Sequence, residues 1–172
     1  MTRLALLTLP PTAPIKTCYE LGLMSGKSDG KFNPGGNVTT AEGVVVAARI
    51  HNLWRGGDGS FPSSTPWYQS AVDYAVQNDI MAQGQFSSFT APITRAQLAD
   101  LLARVLPKRD YASINSVKTL PDVNDNTPGA ASILKLYNAG IVSGIDAYGT
   151  FAPNNTISRA PNGRHSLPLG SA

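Results

Sequence analysis

Ile93-Thr94-Arg95-Ala96-Gln97-Leu98-Ala99-Asp100-Leu101-Leu102-Ala103-Arg104-Val105-Leu106 sets the fold class of this chain. Leu98, Leu101, Leu102, Val105 and Leu106 recur at the three- and four-residue spacing of a single helical face. Thr94 and Gln97 form a capping box, in which the hydroxyl accepts from a backbone N–H and the Gln side chain reaches back to the N-cap. The pattern predicts a helix from Thr94 to about Leu106.

The same start recurs twice. Val38-Thr39-Thr40-Ala41-Glu42 precedes a segment that places Val46, Ala47, Ile50, Leu53 and Trp54 on one face, with Arg49 at the position of Arg104. Ile157-Ser158-Arg159-Ala160 is the third copy, but Pro161, Asn162-Gly163 and Pro168 follow it and allow no long helix. Upstream of each start lies a glycine-bearing loop with a phenylalanine, Phe32, Phe89 or Phe151, expected to pin the loop to the core. The matching glycines Gly26, Gly84 and Gly144 are roughly 60 residues apart, a period that suits a two-helix module. The first helix of each unit is expected at Ile15 to Leu21, around Trp67 to Val76 beginning near Pro66, and at Ala130 to Asn138 with a stripe of Ile133, Leu134, Tyr137 and Ile141.

The boundaries follow from composition. Arg55 to Thr65 is rich in Gly and Ser, and Pro107 to Asp125 is polar and contains Pro121, so both are linkers. The reading is an all-α chain of tandem helix-loop-helix modules: a disordered or foreign N-terminus at 1–14, modules at 15–57, 58–109 and 110–160, and an irregular tail at 161–172. The first module lacks a normal lead-in and the third lacks its second helix, as in a fragment of a repeat array. Met1 to Leu9 resembles the start of an export signal but stops at Pro10-Pro11, and is taken as a frayed or foreign terminus.

Several function classes drop out. An apolar fraction of 42% in 172 residues suffices for a modest core. One cysteine, Cys18, excludes an internal disulfide and is expected to be a buried free thiol. Nothing has zinc-ligand spacing. Asp122-x-Asn124-x-Asn126 imitates the opening of a calcium loop, but Thr127 replaces the turn glycine and Ile133 stands where a bidentate Glu is needed. Asp29-Gly30 reads as a turn. His51 and His165 lie in unrelated contexts, and Asp73 and Asp79 flank a helix end, where solvation or capping explains them better than glycoside hydrolysis. No catalytic residue, metal or cofactor is expected. The net charge of +3 is scattered rather than gathered with aromatics, which argues against nucleic acid but favours an anionic partner such as an acidic polysaccharide. No stretch approaches the ~20 apolar residues that span a bilayer, so no membrane insertion is expected.

The capping boxes do not explain Arg95 and Arg159. A cation in the first turn sits beside the positive end of the helix dipole, which is mildly unfavourable. Its recurrence suggests an anion site, where backbone N–H groups and a guanidinium fork converge on one oxyanion.

Taken together, these strings resemble a tandem of S-layer homology modules. The resemblance rests on Glu20-Leu21-Gly22-Leu23-Met24-Ser25-Gly26 with Asp29-Gly30-Lys31-Phe32-Asn33-Pro34, on Trp67-Tyr68 with Ile93 to Gln97, and on Asp122-Val123 with Ala139 to Gly144 and Ile157 to Ala160. It covers about Ile15 to Ala160. It implies three modules around a pseudo-threefold axis, with grooves that bind bacterial secondary cell-wall polysaccharide, often pyruvylated, and so hold an extracellular protein on the cell surface without catalysis. Carried over, the motif arginine falls on Arg95 and Arg159, whereas the first copy has Thr40 there and keeps Glu42. Arg95 is the foremost ligand-binding candidate, followed by Arg159, Thr94, Gln97, Ser158 and Glu42 as polar partners and Trp67 as a sugar-stacking face. The rival readings are a structural or protein-interaction array that holds no glycan, and the anchoring fragment of a larger surface enzyme.

Overall fold

A computed structural model describes residues 22–24, 33 and 35–159. Among these the architecture is helical. It comprises α1 (Thr40–Trp54), α2 (Gln69–Gln77), α3 (Arg95–Val105) and α4 (Ala130–Asn138), with a single 3-10 turn at Lys108–Asp110. Extended backbone is limited to isolated bridges. No helix among the described residues is long and apolar enough to cross a membrane. The expected first helix at Ile15 to Leu21, Cys18, Gly26, the Asp29-Gly30 turn, Phe32, and the tail after Arg159 lie outside the described residues.

Both capping boxes form. The Thr39 hydroxyl accepts from Glu42 N–H while the Glu42 carboxylate takes Thr39 N–H at 2.8 Å, and Thr94 and Gln97 repeat the exchange at the start of α3. The helix expected at Ala130 to Asn138 has those bounds. Its N-cap is Gly129 at φ +76°, left-handed backbone that favours glycine.

The core has two parts that share α3. Leu101 and Val105 face α1 and α2, packing with Val44, Val45, Ala47, Ala48, Ala71, Val72 and Ala75. Ala96, Ala99 and Ala103 face α4 and its flanking loops, packing with Leu120, Val123, Ile133, Leu136 and Phe151. Small residues on that second face let α4 approach closely. Phe151 is buried and Phe89 is half-buried against the core, as the loop-pinning expectation required.

Three expectations shift. On α1 the buried arc is Val44, Val45, Ala47, Ala48 and His51, whereas Leu53 and Trp54 are about 40% exposed. The cause is that α1 packs on two partners, α2 and α3, so its buried face is wider than one stripe and is centred elsewhere. Gly43 belongs to this close packing, because an added Cβ would stand 2.7 Å from Ile93 Cδ1. On α4 the stripe turns on Leu136, and Ile141 lies beyond the helix and is exposed. Finally, α2 begins at Gln69, so Trp67 precedes it and is 60% exposed.

The three helix-start segments exchange backbone hydrogen bonds in a closed cycle. Thr40 N–H donates to Ala91 O, Arg95 N–H to Asn155 O, and Arg159 N–H to Gly36 O, all at 2.8–2.9 Å. Each donor is the residue after the hydroxyl residue of its motif, Thr39, Thr94 or Ser158, and each acceptor stands three residues before the hydroxyl residue of another copy. Ala41 N–H to Phe89 O and Ala96 N–H to Pro153 O extend the same register.

The cap and the core carry different weights. Leu101→Ala, at a fully buried position, is expected to lower unfolding free energy by about 2–5 kcal/mol, and Thr94→Ala by about 1 kcal/mol. Denaturant unfolding of the two variants checks the order.

Candidate functional site

The residue after each N-cap uses its side chain, like its amide, to grip a different copy. In the first copy the Thr40 hydroxyl donates to Ala91 O at 3.1 Å, and Thr40 is buried. In the second, Arg95 Nε donates to Phe151 O at 2.7 Å and Nη2 to Ser143 O at 2.8 Å, with the guanidinium carbon 4.4 Å from the Phe151 ring centre. In the third, Arg159 Nη1 pairs with Glu42 Oε1, and Arg159 is only 6% exposed. Burial pushes the Arg95 pKa down from its ordinary value, opposed by the charge of Asp122.

These contacts bear on the anion site expected at the tip of α3. Arg95 N–H is bonded to Asn155 O, Ala96 N–H to Pro153 O and Gln97 N–H to the Thr94 hydroxyl. The amides that would receive an oxyanion therefore already have protein acceptors, and the guanidinium is spread over two carbonyls and a ring.

Glu42 divides its carboxylate between two tasks. Oε2 closes the cap of α1 and Oε1 holds Arg159. The pair sits at the rim of a cleft of about 580 Å³ between α1 and the entry to α2. Thr39, Glu42, Val45, Val46 and Arg49 form one wall, Trp67, Tyr68, Phe89 and Thr90 the other, and Leu23, Met24 and Arg159 complete it. The Tyr68 ring stacks on Phe89 at 5.0 Å, and Trp67 stands edge-on to Tyr68 at 5.6 Å, which makes the second wall an aromatic shelf.

The structure thus brings Glu42, Arg159 and Trp67 together in one cleft and places Arg95, Thr94, Gln97 and Ser158 outside its lining. Sequence reasoning did not select Arg49, a second arginine within it. Arg49 Nη1 donates to Gly22 O at 2.8 Å and to Leu23 O at 3.1 Å, while its buried Nε has no acceptor. Its partners among the described residues are neutral carbonyls, and no carboxylate among the described residues pairs with it. Burial lowers its pKa from the ordinary value. The available clue was the contrast with Arg104, which has Asp100 four residues before it and pairs with it at 2.8 Å; Arg49 has Val45 there.

Asp122 was also missed. It takes Phe151 N–H at 2.7 Å and Ala152 N–H at 2.6 Å, holding Ala152 at φ +56°. The carboxylate that looked like a calcium ligand clamps the loop that Arg95 grips from the other side. Among the described residues no group of His, Cys, Asp and Glu could hold a metal ion.

Residues 10–42 and 119–160 match the family model described as the S-layer homology domain. The chain is 26% identical over 153 residues to the surface-layer 125 kDa protein of Lysinibacillus sphaericus, a match spanning 84% of this chain and 13% of that protein. It is 27% identical over 151 residues to S-layer protein EA1 of Bacillus anthracis, across 85% of this chain and 17% of the relative. Cell surface glycoprotein 1 of Acetivibrio thermocellus is 29% identical over 152 residues, across 80% and 6% respectively. The chain therefore corresponds to a small part of each relative's length.

Removing Arg159 leaves the Glu42 carboxylate partly buried beside an apolar wall. Arg159→Ala is expected to cost about 3–5 kcal/mol of folding free energy. In a double-mutant cycle with Glu42→Gln the two losses should fall well short of additivity, as read by denaturant unfolding.

Proposed function

Since the chain carries S-layer homology sequence, we propose that it is a non-catalytic anchoring module that holds an exported protein on the bacterial cell surface by binding anionic secondary cell-wall polysaccharide. The observation that carries this reading is the cleft between α1 and the entry to α2, where Arg49, paired with no carboxylate among the described residues, faces an aromatic shelf. A carboxylate on a sugar, such as a pyruvate ketal, is a compact anion suited to a guanidinium. The exposed face of Trp67 suits the apolar face of a pyranose ring.

In this reading the three copies, at 15–57, 58–109 and 110–160, pack around a pseudo-threefold axis, supported by the closed exchange among Thr40, Arg95 and Arg159. Glu42 and Arg159 set the shape of the cleft rather than contact charge directly. Arg95, Thr94, Gln97 and Ser158 hold the copies together, and they affect binding through that frame.

The Arg159–Glu42 pair also favours a second reading, a structural or protein-interaction array whose arginines are spent on neighbouring copies. Sedimentation with purified wall sacculi, before and after chemical removal of the secondary polysaccharide, separates the two. The anchoring reading predicts that binding disappears with the polymer, and binding that survives its removal supports the array. Within the anchoring reading, loss of a charged hydrogen bond in Arg49→Ala should weaken binding about ten- to a hundredfold, and Trp67→Ala should weaken it as well. Arg104→Ala, which removes a cation already paired on another surface, should leave it unchanged; equal losses for Arg49→Ala and Arg104→Ala would reduce the site to bulk charge.

A further inference from the structure

The α1–α2 seam contains a buried imidazole. His51 of α1 is 9% exposed, and its Nδ1 lies 2.8 Å from the hydroxyl of Tyr74 on α2. Trp54 lies against the same ring at 5.8 Å, and Phe61, from the loop after α1, packs on Tyr74 at 5.1 Å and brings no charge. Among the described residues the charged group acting on His51 is Arg55, one turn further along, at the end of α1.

This setting suits a neutral ring. With its proton on Nε2, the imidazole accepts the Tyr74 O–H at Nδ1. Protonation makes both ring nitrogens donors, so the Tyr74 hydroxyl must reverse and give up its acceptor. It also places a cation in an aromatic pocket with Arg55 as a like charge nearby. Burial first, and then Arg55, lower the His51 pKa from its ordinary 6.5.

Of the two helices joined at His51 and Tyr74, α1 lines the cleft and α2 follows directly on the aromatic pair that forms its other wall. α1 supplies Glu42, Val45, Val46 and Arg49, and Trp67 and Tyr68 lead directly into α2. We propose that His51 is an acid-sensitive latch on the binding cleft: mild acid protonates it, loosens the α1–α2 seam and releases the wall polymer. This rests on the anchoring reading for its ligand, but its effect on the fold does not.

The sign follows from linkage. Because the folded state disfavours the charged ring, stability is fully present above the free imidazole value of about 6.5 and is lost as pH falls below it, by up to about tenfold in the folding constant per pH unit. An anionic polymer concentrates protons around itself, so the latch meets a lower pH at the wall than in bulk.

The test uses His165→Gln, which leaves one imidazole in the chain, and compares it with the same protein carrying His51→Gln. Nuclear magnetic resonance should show the His51 ring titrating below the free value. Denaturant unfolding should show stability falling between pH 7 and pH 5, and sedimentation with wall sacculi should show binding falling with it. With His51→Gln both slopes should flatten. A ring that titrates at or above the free value overturns the latch even if His51→Gln does not fold, as do identical pH slopes in the two proteins or tighter binding at pH 5. Loss of stability in acid without binding to sacculi at any pH would instead overturn the anchoring reading and with it the latch's role in release.

Discussion

Three backbone hydrogen bonds, from Thr40 to Ala91, Arg95 to Asn155 and Arg159 to Gly36, tie the starts of α1 and α3 and the matching segment at Arg159 each to a different copy of the repeat. A helix N-terminus has four N–H groups without intrahelical partners. In α1 and α3 the first two go to carbonyls of another copy, and the capping hydroxyl takes the third. Local capping and long-range assembly are therefore satisfied by the same few residues, and neither can change without the other.

That constraint engages the motif arginines within the chain. Arg95 lies over Phe151 and gives two of its five N–H donors to carbonyls, and Arg159 is buried against Glu42. The motif position acts as a clamp between copies, and where the first copy has threonine the hydroxyl performs the same task on Ala91. Arg49, two turns into α1, also donates to two carbonyls and lines a cleft whose other wall is built by aromatic residues at the entry to α2. The frame and the cleft meet at Glu42, which caps α1, anchors Arg159 and lines the cleft.

The local features were legible in the sequence. The Thr39/Glu42 and Thr94/Gln97 boxes act over three residues, and the α4 segment announced itself by periodicity, so each appears where its spacing placed it. The helical class and the S-layer homology resemblance were legible as well. The roles of Arg95 and Arg159 were not, because their partners lie 56 and 117 residues away and no local pattern encodes a contact at that range. His51 was passed over because a helix packed on two sides buries residues that a one-face stripe assigns to solvent. Asp122 was read by its chain neighbours, whereas its function is set by Phe151 and Ala152.

The division of labour between clamp and cleft can be tested by following the arginine Nε–H and tryptophan indole resonances of the isotopically labelled chain during titration with purified secondary wall polysaccharide. The account predicts that Arg49 and Trp67 shift with saturation, while Arg95 keeps the environment set by Phe151 and Ser143. Saturable shifts at Arg95 with Arg49 and Trp67 unmoved would contradict it.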